Sequence, residues 1–237
     1  MKRKSTAGNI YHVLNRGVDK RKLFLDDSDR FRFIHDLFEF NNLESANNVN
    51  YFFRQNKKNQ YMDIGRPYID SKRKPRKLLV EILAFCLMNN HYHLLLRPLN
   101  DQGISQFMKK INMGYAKYFN EKYQRSGALF QGRYKLVHIN QEAHFIHIPY
   151  YIHLNPLDLI APEWRERKIK DYNKAIQFLE NYRWSSHIDY LGKKNFQSVT
   201  QREFLLNYFG GTTEYGKNIK EWIKHLNLED IKETLLE

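Results

Sequence analysis

The pattern of the chain predicts an α+β fold: one antiparallel sheet packed against helices, with a small helical region at the C-terminal end. Three observations carry this. Residues 78–96 form a long apolar run interrupted by Asn89-Asn90, which reads as two strands joined by a tight turn. Residues 27–40 and 105–123 repeat apolar side chains three and four apart, the spacing of amphipathic helices. Beyond about residue 160 the pattern turns helical with short loops. Helices mixed with an antiparallel hairpin make a sheet covered by helices.

The elements follow in order. Residues 10–15 read as a short strand, with Arg16-Gly17 as its exit. The first helix spans Asp27 to Phe40, carries Phe31, Ile34, Leu37 and Phe38 on one side, and has Asp26, Asp27 or Ser28 as its cap. Residues 41–77 form a polar loop or insertion, with a short strand expected at Tyr51-Phe52-Phe53. From Arg54 to Lys77 there are nine Lys/Arg against two Asp, ending in the run Lys72-Arg73-Lys74-Pro75-Arg76-Lys77.

After the strand pair, Ser105 to Tyr123 is a helix with Phe107, Ile111, Tyr115, Tyr118 and Phe119 on one side. Residues 133–138 read as another strand, with Arg133 and Lys135 on the same face. Glu142 to Asn155 is a third helix, expected to kink at Pro149 and to stop before Pro156. Residues 171–181, 184–191, 200–209 and 213–226 are further helices, with a break at Gly210-Gly211. The division is an α+β domain at 1–160, which holds the candidate catalytic residues described below, and a helical C-terminal region at 161–237.

The charge is unevenly placed. The chain has 237 residues and a net charge of +13. Residues 1–150 hold 26 basic and 13 acidic side chains, whereas residues 151–237 hold 13 of each. The whole positive excess therefore lies in the first part, and a field of that sign attracts a polyanion, with nucleic acid the first choice. The single cysteine, Cys86, permits no intrachain disulfide and fits a reducing cytoplasm. No run of about 20 apolar residues appears, so no membrane span is expected. The basic start Met1-Lys2-Arg3-Lys4-Ser5 lacks the apolar segment of a secretory signal and reads as an arm for phosphates.

Chemistry enters with His91-Tyr92-His93. In a strand, residues two apart share a face, so both imidazoles point to one side. A close imidazole pair can bind a divalent metal, although such a pair taken alone is more often structural. Tyr151 and Asn155 lie four apart in the third helix and share one of its faces. A tyrosine phenol is a competent nucleophile toward a phosphodiester, and the phosphotyrosine keeps the bond energy for a second transfer. The Asn155 amide oxygen suits a hard divalent ion as third ligand. Arg16, Arg133 and Lys135 are candidates for positioning phosphates, together with the basic run at Lys72, Arg73 and Lys74. His153 points away from the Tyr151–Asn155 face and reads as structural.

Five short stretches together resemble a known family: Tyr11-His12-Val13-Leu14-Asn15-Arg16-Gly17; Leu87-Met88-Asn89-Asn90-His91-Tyr92-His93-Leu94-Leu95; Leu129-Phe130-Gln131-Gly132-Arg133-Tyr134-Lys135; Tyr151-Ile152-His153-Leu154-Asn155-Pro156; and Trp184-Ser185-Ser186. In this order they look like the single-tyrosine HUH transposases, closest to the REP-associated tyrosine transposase branch. The resemblance implies a ferredoxin-like core with a central antiparallel sheet. It implies Mg²⁺ or Mn²⁺ on His91 and His93, with Asn155 completing the site. It also implies Tyr151 as nucleophile on single-stranded DNA beside hairpin-forming repeats, keeping the 5′ phosphate and releasing a 3′ hydroxyl. Two positions depart from the branch: Asn89 stands where Pro is usual, and Tyr150 where many relatives have Arg, which puts two tyrosines side by side. The alternatives are a non-catalytic DNA-binding protein that keeps the fold, and a replication-initiator type HUH nickase. A homodimer is compatible with these features, and the sequence leaves the assembly undecided.

Overall fold

A computed structural model of the chain describes residues 8–44, 75–166 and 168–225. The expected strand at Tyr51-Phe52-Phe53, the basic residues Lys72, Arg73 and Lys74 and the N-terminal arm lie outside them.

Four strands make one antiparallel sheet: β1 (Ile10–Arg16), β2 (Val80–Leu87), β3 (His91–Pro98) and β4 (Lys135–Ile139), in the order β2-β3-β1-β4. Helix α1 (Asp27–Glu39) joins β1 to the β2–β3 hairpin, and α2 (Gly103–Lys122) joins the hairpin to β4. This β-α-β-β-α-β path, with the first and third strands at the centre, is the ferredoxin-like arrangement.

Local chemistry explains these limits. Asp26 caps α1 by accepting from the Asp29 backbone N–H, and Asp29 accepts from the Asp26 N–H in return. The Asn89-Asn90 turn closes with Met88 N–H donating to the His91 carbonyl at 2.8 Å. The turn is also tied to the exit of β1, since Gly17 N–H donates to the Asn90 carbonyl and Leu23 N–H to the Asn89 carbonyl, each at 2.8 Å. Gly17 has no room for a side chain: a Cβ there would stand 2.3 Å from the Arg21 carbonyl oxygen.

Alternation sorts the strands into two faces. On one, Tyr11, Val13, Phe85, Leu87, Tyr92, Leu94 and Leu96 pack with Phe33 and Leu37 of α1 and Phe107, Ile111 and Tyr115 of α2. On the other, Leu83, Ala84, Cys86 and Leu95 meet α3 (Glu142–Leu154). The register slips between Ile82 and Ala84. That bulge is why the neighbours Leu83 and Ala84 both reach this second core.

The later helices are α4 (Tyr172–Asn181), α5 (His187–Tyr190), α6 (Glu203–Tyr208) and α7 (Gly211–His225). Leu179, Tyr190, Leu205, Phe209, Tyr215 and Ile219 share the second core with Ile148, Tyr151 and Leu154 of α3. Residues before and after position 160 thus meet in one buried cluster.

Three expectations need correction. The strand expected from Arg133 begins at Lys135. Here Phe130 bridges Gly17 and Gln131 N–H bonds the Arg16 carbonyl, and the chain then turns at Gly132 with φ 73°. Arg133 is therefore outside the strand and does not share a strand face with Lys135. The helix expected over 184–191 is only four residues, His187–Tyr190. Trp184 and Ser186 use their backbone along β2 instead: Leu87 N–H donates to the Trp184 carbonyl and Ser186 N–H to the Phe85 carbonyl. The helix expected from Thr200 starts at Glu203, because Gln201 bonds Ile82 through both its N–H and its side-chain oxygen. Both segments cover the edge strand, which needs its open hydrogen-bonding groups paired. The third helix ends before Pro156 as expected, and Pro149 sits inside it without ending it.

Candidate active site

Strand register sets the first half of the site. Residues directly opposite in antiparallel strands point to the same face. His93 stands between Cys86 of β2 and Leu14 of β1, and Leu14 faces Lys135 of β4. One step along, His91 stands opposite Arg16. The face that carries Cys86 also carries His91, His93, Arg16 and Lys135, and it is the face covered by α3. Tyr92 points the other way, into the core beneath α1 and α2.

The two histidine rings lie 5.0 Å apart, centre to centre. His91 is partly buried and His93 fully buried. Each engages its Nδ1 locally. His91 Nδ1 is 2.7 Å from the Asn90 side-chain oxygen, and His93 Nδ1 is 2.9 Å from Nε2 of His12. Such contacts fix ring orientation and tautomer, so a metal would be met through Nε2.

Helix α3 supplies the second half. Tyr151 is fully buried, and its ring meets that of His93 edge-on at 5.9 Å and that of His12 at 6.1 Å. Tyr150, one residue earlier, faces the other way. It packs on Phe209, Tyr215 and Trp222 of the later helices, and burial pushes its hydroxyl up to about 12. Neighbouring helical residues diverge by about 100°, so only one of the two can face the histidines.

Asn155 is buried where α3 passes into a 3-10 turn, Asn155–Leu159. Its Nδ2 donates to the Tyr151 carbonyl at 2.8 Å, and its Oδ1 accepts from Arg165 Nη2 at 3.1 Å. Arg165 Nη1 also donates to the Tyr151 hydroxyl at 3.3 Å. Sequence reasoning missed Arg165 and the pairing of His12 with His93. His12 alternates onto the histidine face of β1, which was a usable signal. Arg165 gave none, since it lies in a region read as a separate helical tail.

Of the phosphate candidates, Arg16 is half-buried with its Nε donating to Gln131 Oε1 at 2.6 Å. Lys135 is half-buried and Arg133 exposed. Behind α3, His153 is fully buried and bonds Ser186 Oγ at 2.7 Å and the Tyr215 hydroxyl at 2.8 Å. Burial lowers its basicity well below the usual histidine range, which suits a structural role.

The donor set bears on a metal. Among the described residues, no three His, Cys, Asp or Glu side chains gather to hold an ion. Two imidazoles with an amide oxygen suit a weakly held divalent ion whose other positions go to water or phosphate. No helix among the described residues is long and apolar enough to cross a membrane.

The chain is similar to a solved structure described as "Structure of the REP associates tyrosine transposase bound to a REP hairpin", with 12% sequence identity, a TM-score of 0.48, and coverage of 84% of this chain and 88% of that one. No curated protein matches the chain. A family model described as "Transposase IS200 like" matches residues 48–155, the stretch that contains His91, His93, Tyr151 and Asn155.

Proposed function

We propose that this protein cleaves and rejoins single-stranded DNA beside hairpins through a covalent link to Tyr151. The observation that carries the reading is the meeting of Tyr151 with His93 at 5.9 Å, from two elements 58 residues apart in sequence (151 − 93). The match of residues 48–155 to the IS200-like transposase model supports transposase-like DNA chemistry in general.

The reaction is a phosphoryl transfer. The Tyr151 hydroxyl oxygen attacks a DNA phosphorus, the bond to the 3′ oxygen breaks, and the 5′ phosphate stays on the tyrosine. The phenol proton goes to water, and the departing 3′ oxygen takes one up. Attack by a free 3′ hydroxyl then reverses these bonds on a new strand, which makes the enzyme a strand transferase.

His91 and His93 would hold Mg²⁺ or Mn²⁺, with Asn155 as third ligand. When bound, the ion would polarise the scissile phosphate and offset its developing charge. Asn90 and His12 orient the two rings. Arg16 and Lys135, on the same sheet face, would hold neighbouring phosphates, and Arg133 and the run Lys72, Arg73 and Lys74 would extend that path. The residues up to 160 carry the nucleophile and the metal ligands in this reading. The later helices buttress α3 from behind.

The test is incubation of the full chain with labelled, hairpin-bearing single-stranded DNA and Mn²⁺. A protein–DNA adduct that survives boiling in detergent is expected. Divalent-independent binding with no adduct on any single-stranded substrate would contradict the reading. That outcome would favour DNA binding without cleavage, the second reading, which the full enclosure of Tyr151 and His93 favours.

A further inference from the structure

Arg165 is held by more groups than a surface arginine needs. It lies in the 3-10 turn Pro162–Glu166, which folds back over the end of α3. Asp158 accepts from its Nε at 3.0 Å and from its Nη2 at 2.7 Å. This two-pronged pairing fixes the plane of the guanidinium. Asp158 is itself fixed by the Trp164 indole N–H, which donates to Oδ1 at 2.6 Å. The Trp164 ring also lies against the guanidinium, 4.8 Å from ring centre to Cζ. With that edge anchored, Nη2 reaches Asn155 Oδ1 at 3.1 Å and Nη1 reaches the Tyr151 hydroxyl at 3.3 Å. The contact to Tyr151 is the longest of the four and the easiest to exchange for a better acceptor. The Arg165 side chain is 24% exposed, whereas Tyr151 is buried. The fixed cation is thus the more exposed of the two groups.

We propose that Arg165 is a further catalytic residue: its guanidinium takes a non-bridging oxygen of the phosphate that becomes joined to Tyr151, and Asp158 sets its aim. The inference rests on Tyr151 as nucleophile and deepens that reading. When the Tyr151 oxygen bonds phosphorus and the bond to the 3′ oxygen breaks, the non-bridging oxygens lie on that phosphorus, two bonds from the tyrosine oxygen. Nη1, 3.3 Å from the Tyr151 oxygen, is within reach of them. A pre-aimed donor in a partly enclosed site needs no reorganisation as negative charge builds there. Lysine supplies charge without the fork that Asp158 holds. Holding the 3-10 turn in place is the ordinary alternative for Arg165, and it predicts no sensitivity to which phosphate oxygen is altered.

The test uses the full chain with Mn²⁺ and a hairpin-bearing oligonucleotide carrying sulfur at one or the other non-bridging position of the mapped scissile phosphate. Arg165→Ala should slow adduct formation by roughly 10²- to 10³-fold with little change in KM. Arg165→Lys should recover part of the rate. One sulfur isomer should slow the wild type, and that extra penalty should vanish in Arg165→Ala. Mn²⁺ affinity, read by calorimetry, should be unchanged. An equal sulfur effect in variant and wild type would overturn the proposal. So would a loss of Mn²⁺ affinity in step with rate, which would mean that Arg165 acts through Asn155. If the wild type forms no adduct at all, it is the nucleophile reading that fails. The role of Arg165 is then judged without turnover: inorganic phosphate should move the Arg165 Nε–H resonance, assigned by its loss in Arg165→Lys. A resonance that stays fixed overturns the inference.

Discussion

Nε2 of His12 lies 2.9 Å from Nδ1 of His93, and the two rings stack 5.1 Å apart at 19°. Both side chains are fully buried, so the pair is held by the sheet and by α3. A metal-binding histidine is commonly aimed by a partner on its other ring nitrogen. His12→Ala should therefore weaken Mn²⁺ binding by roughly 10- to 100-fold while the fold is kept. Calorimetric titration with circular dichroism checks this. Unchanged affinity would make His12 a packing residue.

The two adjacent tyrosines should separate cleanly. Tyr150 is packed among Phe209, Tyr215 and Trp222, and Tyr151 faces the histidines. Tyr150→Phe should keep adduct formation near the wild-type rate. Tyr150→Ala should cost about 3 kcal/mol of stability by opening a cavity. Urea unfolding of both variants measures it.

Arg16 and Lys135 stand on the histidine face of the two central-to-edge strands β1 and β4. As phosphate contacts they should each add to the dependence of binding on salt. Arg16→Ala or Lys135→Ala should lower the slope of log K against log salt by about 0.7 for single-stranded DNA. Fluorescence anisotropy at several salt concentrations reads the slope, and an unaltered slope removes that residue from the interface.

Acid should act on the tie between α5 and α7. His187 Nδ1 bonds the Tyr215 hydroxyl at 2.8 Å, and burial lowers the His187 pKa to about 4. His153 shares that hydroxyl, and Glu180 and Lys193 act on His187 from the neighbouring segments with opposite signs. The folded value is the depressed one, so the stability that neutral His187 contributes is full above about 6.5, the unfolded value. It is lost as pH falls toward about 4. Asp189 opposes this: burial raises it to about 6, so its protonation favours the folded state as pH falls below that value. His187→Gln removes the first effect and leaves the second. Relative to the wild type, the variant should gain on the order of 2 kcal/mol between pH 7 and 4.5. Urea midpoints across that range test it, and a constant difference would contradict it.

The sheet and the histidine pair were legible because alternation and the Asn89-Asn90 turn are local signals. The facing of Tyr151 and Asn155 was legible for the same reason, since four residues make one helical turn. Trp184 and Gln201 were misread as helical because their backbones bond β2, a long-range pairing that no local period records. Arg165 was hidden for a related reason. Its partners Tyr151, Asn155 and Asp158 are brought to it only by the fold-back of the 3-10 turn.

The central claim is that Tyr151 becomes bonded to DNA. The most direct measurement is proteolysis of the detergent-stable adduct formed with single-stranded hairpin DNA and Mn²⁺, followed by mass spectrometry of the nucleotide-bearing peptide. The account predicts a nucleotide on Tyr151 and no adduct in Tyr151→Phe. A nucleotide on Tyr150, or an adduct that persists in Tyr151→Phe, would contradict it.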